Sequence, residues 1–248
     1  MFGIFKKKER SPQFSGNYSG LQTDMHSHLL PGIDDGSPDL DTSIMLIKGM
    51  MEMGYKKFIT TPHIYPDLYP NTKETITHAH ALLTERLKQE QMDVEIKAAA
   101  EYFIDDLFAE RLAQKEELLT IHKNWVLIEI SFVSPPGDLN ENIFNLILNG
   151  YQPVLAHPER YGFYYNQPDV FHRFKDQGCY LQINLLSLLG YYGKSAQETA
   201  RMLVKEQLVD LVGTDLHHVR HLQAMNNPQL MAEIDALLQS GHLLNPSL

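Results

Sequence analysis

Acids and imidazoles recur along this chain where its strands are expected to end. Asp24-Met25-His26-Ser27-His28 closes the first, and His63, Glu101, Glu129, His157 and Asp215-Leu216-His217 close later ones. On a strand, side chains two apart share a face, so His26 and His28 can reach one ion, and Asp215 and His217 repeat that spacing. His78-Ala79-His80 has the same spacing inside an expected helix, where such residues do not face each other, and is read as surface. One buried histidine is ordinarily a satisfied core group. A carboxylate such as Glu129 at the end of Trp125-Val126-Leu127-Ile128 costs several kcal/mol unless it is paired or metal-bound. The strength of the signal lies in the set: His26, His28, His63, Glu101, Glu129, His157, Asp215 and His217.

Mixed imidazole and carboxylate donors without thiolates suit Mn²⁺, Fe or Zn²⁺ in open sites. The set exceeds what one ion takes, so two or three divalent ions are expected, with a carboxylate such as Glu101 bridging. Clustered ions of this kind perform hydrolysis or phosphoryl transfer, one activating water and the others clamping oxygens. Arg160, in His157-Pro158-Glu159-Arg160, points the same way. A guanidinium beside a cationic centre is costly unless the substrate is an anion, and arginine suits bidentate phosphate recognition. The bland alternative is an ion pair with Glu159 or a neighbour. Tyr161, Phe163, Tyr164, Tyr165, Tyr191 and Tyr192 either wall a slot for an aromatic substrate or pack the loops.

Strand ends meet in space only if the strands are parallel and curl together. Strands are expected near 21–27, 56–61, 94–100, 125–130, 152–156, 179–184 and 209–213, with a further one near 117–121. Helices are expected near 38–53, 72–91, 104–116, 138–149, 168–177, 195–207 and 228–239. Ser37 is the expected cap of the first helix, Pro38 suits its first turn and Gly54 stops it. About seven strand–helix units make an α/β barrel or a doubly wound sheet. No Gly-x-Gly-x-x-Gly follows a strand, and an open sheet would spread the ligands along a line, so the barrel is preferred. Residues 1–20 read as a flexible leader and 21–248 as one barrel domain.

The net charge of −10 over 248 residues argues against general nucleic-acid binding. The single cysteine, Cys179, excludes an internal disulfide and lies in an expected buried strand, so it is read as inert core. No apolar run approaches the ~20 residues of a membrane span. Met1-Phe2-Gly3-Ile4-Phe5-Lys6-Lys7-Lys8-Glu9-Arg10 is too short and too early-charged for a secretory signal. These features imply a cytoplasmic protein. Residues 1–10 read as a solvated arm, or as a weak contact with the inner face of an anionic membrane.

The ordered motifs resemble a known family. Asp24-x-His26-x-His28 with Pro31-Gly32-x-Asp34-Asp35-Gly36, Thr61-Pro62-His63, Ala100-Glu101-Tyr102, His157-Pro158-Glu159-Arg160-Tyr161 and Gly213-Thr214-Asp215-x-His217 are similar to those of the PHP (polymerase and histidinol phosphatase) superfamily. Within it they look most like the CpsB/YwqE-type bacterial tyrosine phosphatases of capsular and exopolysaccharide systems. The resemblance implies a distorted seven-stranded (β/α) TIM-like barrel with a trinuclear, Mn²⁺-type centre. His26, His28, Glu101 and Asp215 would share one ion, Glu101, Glu129 and His157 a second, and His63 and His217 with Asp35 a third. Arg160 would bind phosphate, and Asp35 or His63 would assist the leaving group. The implied partner is a tyrosine-phosphorylated polysaccharide-export kinase. The alternatives are a histidinol phosphatase-like enzyme, an amidohydrolase barrel, disfavoured because strand four ends in Glu129 rather than lysine, and a metal-binding pseudoenzyme that docks a kinase.

Overall fold

The computed structural model describes residues 16–248. Among these described residues nine short strands form: β1 (Thr23–Asp24), β2 (Lys57–Thr60), β3 (His63–Ile64), β4 (Glu95–Ala98), β5 (Glu101–Phe103), β6 (Trp125–Glu129), β7 (Gln152–Ala156), β8 (Tyr180–Asn184) and β9 (Leu211–Gly213). Every ladder between them is parallel. One sheet has the order β1-β2-β4 and the other β3-β5-β6-β7-β8-β9. The helices are α1 (Leu40–Glu52), α2 (Lys73–Gln89), α3 (Asp106–Ala113), α4 (Leu139–Leu148), α5 (Pro168–Asp176), α6 (Lys194–Lys205), α7 (Val219–Met225) and α8 (Pro228–Gln239). This is an α/β fold with parallel sheets.

Two expected strands are each followed, after a two-residue break, by a second short strand. The run through 56–61 breaks at Thr61-Pro62 and resumes as β3, and the run through 94–100 breaks at Ala99-Ala100 and resumes as β5. Pro62 has no N–H to give a ladder, yet its carbonyl still accepts from Glu101 N at 3.1 Å. The two sheets also meet beyond β1 and β9. Ser27 and Leu216 form an isolated parallel bridge, Asp215 N donates to the His26 carbonyl at 2.8 Å, and His28 N donates to the Leu216 carbonyl at 3.0 Å.

The apolar residues divide into two bodies. A large outer core lies between the helices and the sheets. A small inner one holds Met25, Ile59, Ala99, Ile121, Leu127, Val154, Ala156 and Leu211, drawn from both sheets. Strand periodicity explains the division on β6. Val126 and Ile128 join the outer core, Leu127 joins the inner one, and Glu129, two residues on, shares the inner face. On β8, Leu181 and Ile183 go outward and leave Gln182 and Asn184 on the opposite face, buried.

Several local expectations change. The cap of α1 is Asp39, which accepts from Thr42 N at 2.8 Å, while Ser37 is buried and accepts a hydrogen bond from Ser43. Gly54, at φ 102°, does turn the chain out of α1. No strand forms at 117–121. A leader reaching residue 20 is also corrected, because Tyr18 is 1% exposed and its hydroxyl donates to the Met225 carbonyl at 2.6 Å. The folded body therefore begins by Tyr18, and residues 1–10 lie outside the described residues. His78 is exposed as expected, but His80 is partly covered and reaches the Ile96 carbonyl at 3.1 Å.

Candidate metal centre

The ligand-type residues gather at one end of the strands. His63 and Glu101 open β3 and β5, Glu129 closes β6, and His157 follows β7 directly. His26 and His28 lie past β1, and Asp215 and His217 past β9, held by the hydrogen bonds that join the two segments. His157 (φ 34°) and Asp215 (φ 50°) are left-handed, a costly backbone state for a side-chain-bearing residue and one that concentrates at functional sites. Gly213 is needed beneath them, since a Cβ there would stand 2.7 Å from His26 Cβ.

Glu101 sits at the middle, fully buried. One of its carboxylate oxygens lies 3.2 Å from His26 Nε2, 3.4 Å from His28 Nε2 and 3.3 Å from His63 Nδ1. The other lies 3.2 Å from His157 Nε2, which is also 3.6 Å from Glu129. Asp215 Oδ1 lies 3.4 Å from His26 Nε2 and 3.3 Å from His217 Nδ1. Asp35, half exposed, sets Oδ1 3.5 Å from His63 Nε2 and 3.4 Å from His217 Nε2. All eight expected ligands and Asp35 therefore meet. The donor atoms fall into four groups, each within 4.8 Å: His28, Asp35, His63 and His217; His26, His28 and Glu101; His26, His157 and Asp215; and His63, Glu101 and Glu129.

These residues fit divalent cations. Glu101 Oε1 and His63 Nδ1 are buried and make no hydrogen bond. Packed carboxylates also repel. Burial and the charges of Glu101 and Asp215 push Glu129 well above the usual carboxylate range. Burial, then Arg160, pushes His157 down to about 4, which leaves a neutral imidazole with a lone pair to give. Cations among these groups relieve both penalties.

A supporting layer orients the donors. His26 Nδ1 donates to Gln182 Oε1 at 2.7 Å, so Nε2 faces the centre. Gln182 Nε2 donates to Asn184 Oδ1, and Asn184 Nδ2 donates to Asp215 Oδ2 at 2.7 Å. Asp34 accepts from His28 Nδ1 at 2.8 Å. Arg160 pairs with Asp215 Oδ2 at 2.7 Å, not with Glu159, which is buried and accepts from Ser187 and from Asn184 N. A cleft of about 280 Å³ opens over the centre, lined by Asp35, Glu129, Phe132, Arg160, Tyr192 and His218 among others. Tyr161 and Tyr164 are buried packing, so of the aromatics singled out in the sequence Tyr192 lines the cleft.

The family model for capsular polysaccharide synthesis, CpsB/CapC, matches residues 22–237. The chain belongs to the CpsB/CapC family. Tyrosine-protein phosphatase YwqE of Bacillus subtilis is 30% identical over 197 residues, 79% of this chain and 78% of that one. Crystal structures of YwqE from Bacillus subtilis and CpsB from Streptococcus pneumoniae, described as metal-dependent tyrosine phosphatases, include a match at TM-score 0.75 and 29% identity. It covers 88% of this chain and 94% of the other. A histidinol phosphate phosphatase from Lactococcus lactis shares the fold at TM-score 0.55 and 13% identity, covering 90% of this chain and 94% of its own. In this CpsB/CapC chain Gln182, Asn184, Asp34 and Phe132 are site residues that sequence reasoning did not assign. The signal for two of them was present: Gln182 and Asn184 are polar and two apart in an otherwise apolar strand. His218 and His221 also line the cleft, and His221 accepts from His217 N at 3.3 Å.

Proposed function

We propose that this chain is a metal-dependent phosphotyrosine-protein phosphatase that acts on a tyrosine kinase of capsular or exopolysaccharide synthesis. The observation that carries the reading is Arg160, a cation 23% exposed in the cleft beside a dense imidazole–carboxylate donor set, with Phe132 and Tyr192 in the same lining. Family membership and the named relatives support it. The scaffold is read as a distorted seven-stranded barrel, with β2/β3 and β4/β5 each taken as one interrupted strand and the Ser27–Leu216 bridge as the seam.

His26, His28, Glu101 and Asp215 would hold one ion, Glu101, Glu129 and His157 a second, and His63, His217 and Asp35 a third, Mn²⁺ being the expected metal. Bound divalent ions supply Lewis acidity toward phosphoryl oxygens and lower the pKa of water. Arg160 orients the phosphoryl group and offsets its charge. Burial would raise the Asp35 carboxyl, but His217 and His63 outweigh it and hold the pKa below the usual range. Asp35 is therefore ionised at neutral pH and suits holding an ion or orienting water rather than donating a proton. A phenol leaving group, with a pKa of about 10, needs little protonation. Cys179 takes no part: it is 1% exposed, and burial pushes its thiol up to about 12.

Among the described residues no helix is long and apolar enough to cross a membrane. On the family resemblance, we read the enzyme as cytoplasmic and peripheral to the inner face of the membrane, with a tyrosine-phosphorylated kinase as its substrate. The test is a comparison of initial rates, with Mn²⁺, on a phosphotyrosine peptide, a phosphoserine peptide and histidinol phosphate. The phosphotyrosine peptide is expected to dominate. Faster turnover of histidinol phosphate would favour the small-molecule reading, and tight peptide binding without phosphate release the pseudoenzyme.

A further inference from the structure

Two aromatic residues of the cleft are not explained by metal holding. Arg160 Cζ lies over the Phe132 ring at 4.9 Å from its centroid and over the Tyr192 ring at 4.3 Å. Both rings are braced. Phe132 stacks on His157 at 5.5 Å and meets Tyr161 at 5.2 Å, and Tyr192 meets the Tyr191 ring edge-on at 5.2 Å. A ring attracts the flat face of a guanidinium and leaves its N–H edges free. One N–H of Arg160 goes to Asp215 at 2.7 Å, which fixes the rotation of the group in its plane. Two rings and one carboxylate thus determine where the remaining donors point. Phe132 is also 44% exposed although it lines a cleft of mostly polar residues. An aromatic surface left open beside a phosphate-binding arginine suits an aromatic ester.

We propose that Phe132 and Tyr192 form an aromatic seat that positions Arg160 for the phosphoryl group, and that the open part of Phe132 packs against the phenol ring of the substrate. Phe132 and Tyr192 act on the phosphate as positioning residues, through Arg160. Phe132 acts on the phenol directly, as a specificity residue. The proposal rests on the phosphatase reading.

The test uses the Mn²⁺-loaded full chain and the variants Phe132→Leu, Tyr192→Leu and Tyr192→Phe, each also in an Arg160→Ala background. Calorimetry reads the dissociation constant of inorganic phosphate. Rates on 4-nitrophenyl phosphate and on phosphoserine read the ester preference. Elemental analysis and melting temperature monitor the metal content and the fold. Each leucine variant is expected to weaken phosphate binding about three- to tenfold at unchanged metal content. In the Arg160→Ala background the same changes should move it less than about twofold, because coupled residues are not additive. Tyr192→Phe, which keeps the ring, should lose less than Tyr192→Leu. Phe132→Leu should raise KM for the aryl ester more than for phosphoserine. Full additivity with Arg160→Ala, or equal losses in Tyr192→Phe and Tyr192→Leu, would overturn the seat. Equal KM changes on the two esters would overturn the phenol contact. A wild-type protein that hydrolyses neither ester defeats the phosphatase reading instead, and the phosphate-binding cycle still decides whether the seat exists.

Discussion

Replacing Glu101 by glutamine keeps the shape of the side chain and removes its charge. Glu101 faces four imidazoles at 3.2–3.4 Å and belongs to two of the donor groups, so two ions lose a ligand together. Loss of a group that only orients a metal ligand weakens binding about 10–100-fold, and loss of the ligand itself should cost at least the upper figure. An ion present at 100 times its dissociation constant stabilises the fold by about 2.7 kcal/mol, and one present at its dissociation constant by about 0.4 kcal/mol. Two ions then supply about 5 kcal/mol to the wild type and about 0.8 kcal/mol to Glu101→Gln. For a chain of 248 residues each kcal/mol is worth about 2–4 °C. Mn²⁺ should therefore raise the wild-type melting temperature by roughly 10–20 °C and that of the variant by roughly 2–3 °C. Scanning calorimetry with and without Mn²⁺ reads both, and turnover of an aryl phosphate should fall in step. A variant with the wild-type Mn²⁺ shift would show that Glu101 touches no ion.

Three further outcomes follow from the same geometry. Cys179→Ser should retain near-full hydrolysis of an aryl phosphate, since a buried thiol held protonated is not a nucleophile, and lost turnover would overturn the metal-based mechanism. Gln182→Leu frees the His26 tautomer and should weaken metal binding about 10–100-fold in a chelator competition, whereas unchanged affinity would make Gln182 mere packing. Burial raises the Glu159 carboxyl to about 7 from an ordinary 4.5. Its stabilising contribution is thus complete below the unfolded pKa and is lost as pH rises through about 7. Glu159→Gln keeps the acceptor for Ser187 and Asn184 and should flatten that decline by up to about 3 kcal/mol, read by urea unfolding in excess chelator from pH 4.5 to 8. Asp24, raised by burial to about 6, leaves a residual slope of the same sign. An identical pH dependence in the variant would show that Glu159 is not the group responsible.

The donors were legible because each is a costly residue type placed at the end of an apolar run, and burial there demands a partner. The supporting residues were harder to read. Asp34 and Asp35 are adjacent acids in one turn, and only the fold decides that Asp34 turns to His28 Nδ1 while Asp35 faces His63 and His217. Phe132 lies in a loop with no periodicity, so its place over Arg160 is a tertiary outcome. The sequence pattern ends these strands near 61 and 100, and their resumption as β3 and β5 is not legible in it, because pairing depends on which backbone groups find partners across the ladder. Tyr18 looked like leader because polar and small residues surround it. Its burial depends on the Met225 carbonyl, 207 positions away.

Side chains scattered along the chain are expected to grip several cations at one mouth. Anomalous diffraction from crystals grown with Mn²⁺, recorded at the manganese edge, tests it most directly. Two or three peaks are predicted among His26, His28, His63, Glu101, Glu129, His157, Asp215 and His217, with Glu101 contacting more than one. A map without peaks there, from protein that hydrolyses aryl phosphates at full rate, would contradict it.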